Sequence, residues 1–113
     1  MIIRAFLFAL LAAVAACEKG VSAAGAEDGG RLFAATCARC HGADGTGGPA
    51  VAPGMQSPRN FRDPIFHTAR TDDDIRHVIT NGKGTAMPAF GAVFKKHEID
   101  ALLAHIRTLD PRR

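Results

Sequence analysis

Apolar residues recur at helical spacing in three stretches of the chain, each followed by a helix-breaking residue. The first stretch follows Asp28, a natural N-cap, and ends before Gly42. The second follows Thr71, has acidic residues in its first turn and ends before Gly82. The third runs from about residue 94 or 96 to Leu109, beyond which a proline bars continuation. The positions that form these stripes are Leu32, Phe33, Thr36 and Cys40, then Ile75, Val78 and Ile79, and finally Ile99, Leu102, Leu103 and Ile106.

Between these stretches the chain carries many glycines and prolines and shows no long periodic pattern, notably over residues 43–71 and 82–91. A loop as long as residues 43–71 is uncommon in a compact domain unless it carries function. The pattern therefore predicts a short all-α body in which long loops hold the unusual residues.

Near its beginning the chain has one basic residue, Arg4, followed by an uncharged run over residues 5–16. This pattern is typical of an export signal. This run is shorter than the roughly 20 apolar residues that a membrane-spanning helix needs. Residues 14–17, VAAC, resemble the site at which bacterial lipoproteins are cut and acylated; ordinary cleavage after Ala15 or Ala26 is the alternative. We interpret residues 1–16 as a signal peptide and residues 17–28 as a flexible tether with a lipid anchor at Cys17.

Composition narrows the classes of protein that remain. The 113 residues allow one small domain, and the formal charge of +3 comes from scattered basic residues, which is no nucleic-acid footprint. Tyr and Trp are absent, so the core contains few aromatic residues. A core this thin usually needs a metal, a cofactor or a covalent staple.

The segment CARCH, with Cys37, Cys40 and His41, admits three interpretations. A redox dithiol normally begins a helix after a strand, whereas this pair ends a helix in a chain without predicted strands. A structural zinc site needs four ligands, and the remaining histidines show no paired ligand spacing. Covalent haem attachment fits directly, because two thiols one helical turn apart can each add to a porphyrin vinyl group while the histidine is aimed at the iron.

A haem iron bound by His41 has a further position that a soft ligand could close. Met87 is followed by a proline and lies on a glycine-flanked loop, which favours it as that ligand. For Met55 we favour the ordinary role of filling space in the core.

The segments GGRLFAATCARCHGADGTGGPA, NFRDP, ITNGKGTAMPAFG and EIDALLAHIRTL resemble, in this order, class I monohaem cytochrome c of the short bacterial periplasmic type. The resemblance covers residues 29–109. It implies a small all-α cytochrome c fold over residues 29–110, with three to four helices and long loops wrapped around one covalently bound haem. One departure is FKKHEID, which lacks the usual Ser or Thr cap before the terminal helix.

The resemblance also assigns roles to single residues. Cys37 and Cys40 would hold the haem, His41 would be the proximal iron ligand and Met87 the distal one. In the family a proline carbonyl accepts the other N–H of the proximal imidazole; Pro49 is our choice and Pro53 the alternative. The first helix would pack on the terminal helix through Gly29 and Phe33, around Leu102 and Ile106.

These observations predict a periplasmic, monomeric single-electron carrier, not an enzyme, with haem c and its iron as cofactor. Its partners would be redox proteins such as a periplasmic dehydrogenase, an oxidase or another cytochrome, and it would meet the membrane through the lipid anchor. The alternatives are a haem enzyme or a gas or redox sensor with a labile distal ligand, an electron-transfer subunit of a larger dehydrogenase or oxidase, and a zinc-stapled binding module. The basic residues that flank the Met87 loop and could steer an acidic partner are Lys83, Lys95, Lys96, Arg59 and Arg62.

Overall fold

A computed structural model describes residues 23–113 of the chain. It contains α1 (Ala23–Leu32), a π-helical segment (Phe33–Cys37), α2 (Ala38–His41), α3 (Pro64–Ala69), α4 (Asp72–Asn81) and α5 (Lys96–Thr108). Within these residues the only β-type pairing is an isolated bridge between Lys83 and Met87. The all-α fold expected from the sequence is therefore confirmed.

The N-terminal helix begins earlier than the sequence predicted. Helix α1 is already present at Ala23, the first described residue, so part of the expected tether over residues 17–28 is helical, and Asp28 pairs with Arg31 inside the helix instead of capping it. The segment is rich in alanine, which has the highest helix propensity. The backbone stays helical through the π segment and α2, and Gly42 ends it with a φ of 81°.

The caps of α4 agree with the sequence. The Thr71 hydroxyl accepts from the Asp74 N–H at 3.1 Å, and the Asp74 carboxylate accepts from the Thr71 N–H at 2.9 Å, which together form a capping box. Gly82 ends the helix with a φ of 74°.

Helix α5 begins without a Ser or Thr cap. The Glu98 carboxylate accepts a hydrogen bond of 2.7 Å from the Lys95 N–H instead. This contact satisfies one backbone donor at the helix end.

The stretch over residues 43–71, predicted as loop, contains the short helix α3. Asp63 caps it, because its carboxylate accepts from the Ile65 N–H at 2.9 Å, and Pro64 occupies the first helical position. A helix of six residues is too short to produce a visible period of apolar residues, and the prediction missed it for that reason.

The core forms where α1 crosses α5. A methyl group at Gly29 would lie 1.8 Å from the Ala101 carbonyl oxygen, so the two backbones touch at a position where a side chain has no room. The buried cluster continues towards α4 and the loop before α3, and it comprises Phe33, Phe61, Ile75, Ile79, Ile99, Leu102, Leu103, Ile106 and Leu109. The packing expected for Gly29 and Phe33 against α5 is thus present.

The predicted signal peptide over residues 1–16 and the proposed anchor at Cys17 lie outside the described residues. Over residues 23–113, no helix has the length and the apolar character that crossing a membrane would require.

Candidate functional site

A cavity of about 1150 Å³ opens beside the hydrophobic core of this small body. Protein interiors rarely contain voids much larger than a water molecule, and pockets for drug-sized ligands span about 300–1,000 Å³. The apolar core side chains that also form its wall are Phe33, Phe61, Ile75, Ile79, Leu102 and Ile106. A cavity of this size and lining fits a large, flat and mostly apolar cofactor.

Both cysteines of the CARCH segment line the cavity. Cys37 ends the π-helical segment and Cys40 lies in α2; both are free thiols and both are half-buried. Burial, with a smaller contribution from the neighbouring Cys40, raises the pKa of the Cys37 thiol from 9.0 to about 11. Cys37 is thus a neutral thiol near pH 7, unlike the activated thiolate of a cysteine nucleophile.

His41 lies at the end of α2 in the same wall. Its Nδ1 is 3.0 Å from the Arg59 carbonyl oxygen, and since a carbonyl only accepts, Nδ1 carries the proton. Burial lowers the pKa of His41, while the hydrogen bond to Arg59 opposes this shift. The imidazole is therefore neutral near pH 7, and Nε2 keeps a lone pair that can bind a metal.

The carbonyl that orients His41 is not the predicted one. The structure places the Arg59 carbonyl at Nδ1, whereas Pro49 is exposed and neither Pro49 nor Pro53 lines the cavity. The assignment of Pro49 to this role is corrected to Arg59. The physical reason is the course of the loop: the Gly47 N–H bonds the His41 carbonyl at 2.7 Å and turns the chain, which returns past His41 only at residues 58–61.

Two further residues near His41 were missed by the sequence analysis. The ring of Phe61 stacks on the His41 imidazole with centroids 4.6 Å apart and planes at 20°. His67 in α3 has its Nε2 2.7 Å from the Phe61 carbonyl oxygen. Phe61 belongs to no helical pattern of apolar residues, so nothing in the sequence marks it. His67 could have been noticed only by recognising α3 as a helix, and the sequence analysis predicted a loop there.

Met87 is half-buried and lines another part of the same cavity, on the loop that follows α4. Its N–H donates to the Lys83 carbonyl at 3.3 Å, and the Lys83 N–H donates to the Met87 carbonyl at 3.0 Å. The loop is further fixed to α4, since the Phe90 N–H donates to the Ile79 carbonyl at 2.9 Å and the Gly91 N–H to the Thr80 carbonyl at 3.0 Å. Met55 does not line the cavity.

Charged groups around the cavity are mostly basic. Arg39, Arg59, Arg70 and Lys83 line it, against one carboxylate, that of Asp74. The other basic residues expected to flank the Met87 loop do not line the cavity. Arg62 donates to the Asp44 carbonyl at 2.9 Å, Lys96 pairs with Asp100 at 2.7 Å, and Lys95 directly precedes α5.

The donor groups at the cavity fit a covalently attached haem. The same apolar cavity is lined by two thiols one helical turn apart, a neutral imidazole with a lone pair, and a thioether. These are the groups that bind haem covalently and ligate its iron. A structural zinc site would require a tight cluster of ligands. Over the described residues, no group of three or more Cys, His, Asp or Glu side chains is placed to hold a metal ion.

Comparison with solved structures agrees with this reading of the cavity. The chain is similar to the KustC0563 c-type cytochrome, with a TM-score of 0.62 and 28% sequence identity over 74% of this chain and 98% of that one. Fold and cavity together define a small monohaem c-type cytochrome. Residues 24–106 match the family model described as cytochrome c oxidase, cbb3-type, subunit III, and the chain belongs to this family.

Two relatives carry the name cbb3-type cytochrome c oxidase subunit FixP. The protein from Azorhizobium caulinodans is 36% identical over 84 residues, which is 74% of this chain and 27% of that protein. The protein from a Bradyrhizobium species is 31% identical over 82 residues, 72% of this chain and 26% of its own length. The chain therefore spans about a quarter of the length of these relatives. Membership of the family implies covalently bound haem c with its iron and a role in electron transfer.

Proposed function

We propose that this cytochrome is a periplasmic single-electron carrier in which Cys37 and Cys40 bind the haem covalently and His41 and Met87 ligate its iron. The observation that carries the proposal is that all four residues line one large apolar cavity, although Met87 is far from the others in sequence. A carrier needs both axial positions filled, because a vacant position invites small ligands and chemistry.

A bound haem supplies a one-electron iron couple, and the residues around it set its properties. The Arg59 carbonyl holds the Nδ1 proton of His41 and leaves Nε2 unprotonated for the metal. The thioether of Met87 is a soft, neutral donor that favours the reduced state and raises the reduction potential. The apolar wall keeps water away, which disfavours the additional positive charge of the oxidised state.

The basic lining favours acidic partners. Lys83 and Arg59 are exposed and lie at the cavity, so they are placed to attract a negatively charged redox protein to the same side as the cofactor. We propose a redox partner protein with an acidic surface, bound by a monomeric carrier, and expect its association rate to fall as salt screens the charges.

A second function is favoured by the comparisons. The relatives are named as subunits of an oxidase, so this domain would pass electrons within such an assembly instead of diffusing between partners. Purification of the native protein from membranes separates the two: co-purification with an oxidase core supports the subunit, and isolation alone supports the carrier.

Export completes the proposal. We propose that residues 1–16 direct the chain across the membrane and that Cys17 carries the lipid that tethers it there. Mass spectrometry of the native N-terminus tests this, since a lipidated Cys17 appears as an acylated first residue. A mature chain that begins after Ala15 or Ala26 without acylation would contradict the anchor.

The experiment for cofactor attachment uses the three cysteines of the chain. The full chain is expressed with a cytochrome c maturation system and stained for haem after denaturing electrophoresis. We expect staining of the wild type and of Cys17→Ser, which serves as the matched control, and its loss in the Cys37→Ser/Cys40→Ser double variant. Equal staining of the double variant and the control would contradict the assignment.

Carbon monoxide distinguishes the carrier from the haem enzyme or gas sensor. With Met87 on the iron, the reduced protein should give the same visible spectrum with and without the gas. Prompt conversion of the wild-type spectrum would instead indicate a labile distal ligand.

A further inference from the structure

The main chain of Phe61 is held at both of its polar groups. Its N–H donates to the Gly45 carbonyl at 2.7 Å, and its carbonyl accepts from Nε2 of His67 at 2.7 Å. The side chain is 7% exposed and stacks on the His41 imidazole. Any displacement of the Phe61 backbone is therefore transmitted to the plane of the stacked ring.

His67 is itself fixed by a partly buried arginine. The Arg107 guanidinium, 14% exposed, donates to the His67 carbonyl at 3.2 Å and lies 3.4 Å from His67 Nδ1. It also donates to the Arg70 carbonyl at 2.7 Å and pairs with Asp72 at 2.8 Å. Since a guanidinium can only donate and a carbonyl can only accept, Nδ1 of His67 faces Arg107 as the acceptor and Nε2 is the nitrogen that donates to Phe61. Arg107 thus selects the tautomer that can hold Phe61.

The contacts form one continuous connection from α5 to the cavity. It runs from Arg107 to His67, from His67 to the Phe61 carbonyl, and from the Phe61 ring to His41. Among the described residues the His41 ring makes one hydrogen bond, that of Nδ1 with the Arg59 carbonyl. One hydrogen bond fixes one edge of the imidazole but not the tilt of its plane, and the flat face of Phe61 restricts that tilt.

We propose that His67 is a positioning residue that fixes the plane of the His41 imidazole through Phe61. This inference rests on the proposed function, in which His41 ligates the haem iron. His67 touches neither the cavity nor His41, and its effect reaches the cofactor only through the Phe61 stack. The orientation of an axial imidazole decides how unpaired electron density spreads over the porphyrin in the oxidised state, so it can be measured directly.

The test uses the full haem-loaded chain and proton NMR of its oxidised form, in which the haem methyl shifts report the imidazole plane. His67→Leu removes the donor to Phe61, whereas His67→Gln keeps an N–H that can reach the same carbonyl. We expect His67→Leu to change the pattern of methyl shifts and His67→Gln to restore most of it. His97→Leu, an exposed histidine of α5, is the matched control and should leave the pattern unchanged.

The outcomes separate this inference from the proposed function. A His67→Leu protein that folds and retains the wild-type methyl pattern overturns the positioning role, while the wild-type spectrum still establishes His41 and Met87 as ligands. If His67→Leu does not fold, Phe61→Leu replaces it: it removes the flat ring and should change the same methyl shifts. An unchanged pattern in Phe61→Leu likewise overturns the inference.

Discussion

The two sides of the cavity are held by different means. On the side of His41, a ring stack and side-chain hydrogen bonds link residues that are distant in sequence, through Arg59, Phe61 and His67. On the side of Met87, backbone hydrogen bonds within the loop and to the neighbouring helix α4 hold the loop. The comparison teaches that the imidazole depends on tertiary packing, whereas the thioether depends on local backbone geometry.

The largest effect is expected from Met87→Ala. Loss of the thioether should abolish the far-red sulfur-to-iron band of the oxidised protein. It should also lower the reduction potential by a substantial part of the roughly 0.8 V over which axial ligands tune haem. Visible spectroscopy and redox titration measure both changes. Met55→Ala is the matched control, since Met55 lies outside the cavity lining, and equal effects of the two substitutions would contradict the assignment of Met87.

Phe61→Ala should break the His41 side by removing a buried ring. We expect the free energy of unfolding to fall by about 3–5 kcal/mol, the usual cost of truncating a buried phenylalanine. Urea denaturation of the haem-loaded protein measures it.

Phe90→Ala is the counterpart on the Met87 side. Phe90 is half-buried and stacks on Phe94 with centroids 5.7 Å apart, so a smaller loss is expected. A loss at Phe90 as large as that at Phe61 would contradict the difference between the two sides.

Gly82→Ala should disturb the backbone geometry that holds Met87. Gly82 has a φ of 74°, and a methyl group there would lie 2.6 Å from the Met87 carbonyl oxygen. Its ψ of −178° places it in a region that is essentially confined to glycine, where another residue pays about 1–3 kcal/mol, and the close contact adds to this cost. We expect lower stability and a weaker far-red band.

Gly84→Ala isolates the contribution of the close contact. Gly84 also has a positive φ, of 58°, but a methyl group there would meet nothing within 4 Å. It should lower stability by the conformational cost alone and leave the band intact. Loss of the band in Gly84→Ala would show that flexibility, and not the close approach, governs the loop.

The smallest effect concerns His105, which lies away from both sides against Phe33 and the α1 glycines. Burial lowers its pKa below the ordinary 6.5. As pH falls through 6.5, the unfolded chain binds a proton before the folded one does, so the free energy of unfolding should decrease. Urea denaturation between pH 8 and pH 5 measures this decrease, and it should be smaller in His105→Gln. The far-red band should not change over this range, and its loss would contradict the separation of His105 from the cavity.

The sequence predicted those parts of the molecule that rest on local rules. Thr71 and Gly82 mark the ends of α4 by capping chemistry, and the positions of Ile99 and Leu102 follow from helical period. The Met87 loop was visible for the same reason, because glycine and proline bound it. The His41 support could not be predicted, since Arg59 acts through a backbone carbonyl that any residue carries, and Phe61 has no periodic neighbours.

At helix α1 a local signal misplaced the beginning of a helix. Asp28 satisfies the local rule for an N-cap, but the alanines before it continue the helix and tertiary packing against α5 retains it. Local signals place the ends of a helix well only where no partner helix extends it.

The apolar cavity wall has a consequence for the order of events in biogenesis. Six of the nine side chains in the buried cluster, among them Phe33, Ile75 and Leu102, also line the cavity, so in the haem-free chain this part of the core has no cofactor to pack against. Such a chain gains less from collapse than the haem-loaded chain does. We therefore expect the thioether bonds to form on a loosely structured polypeptide, with compaction following as a later and faster step. Maturation of this cytochrome would then be controlled by the enzymes that attach the cofactor, and attachment would be the rate-limiting step of its folding.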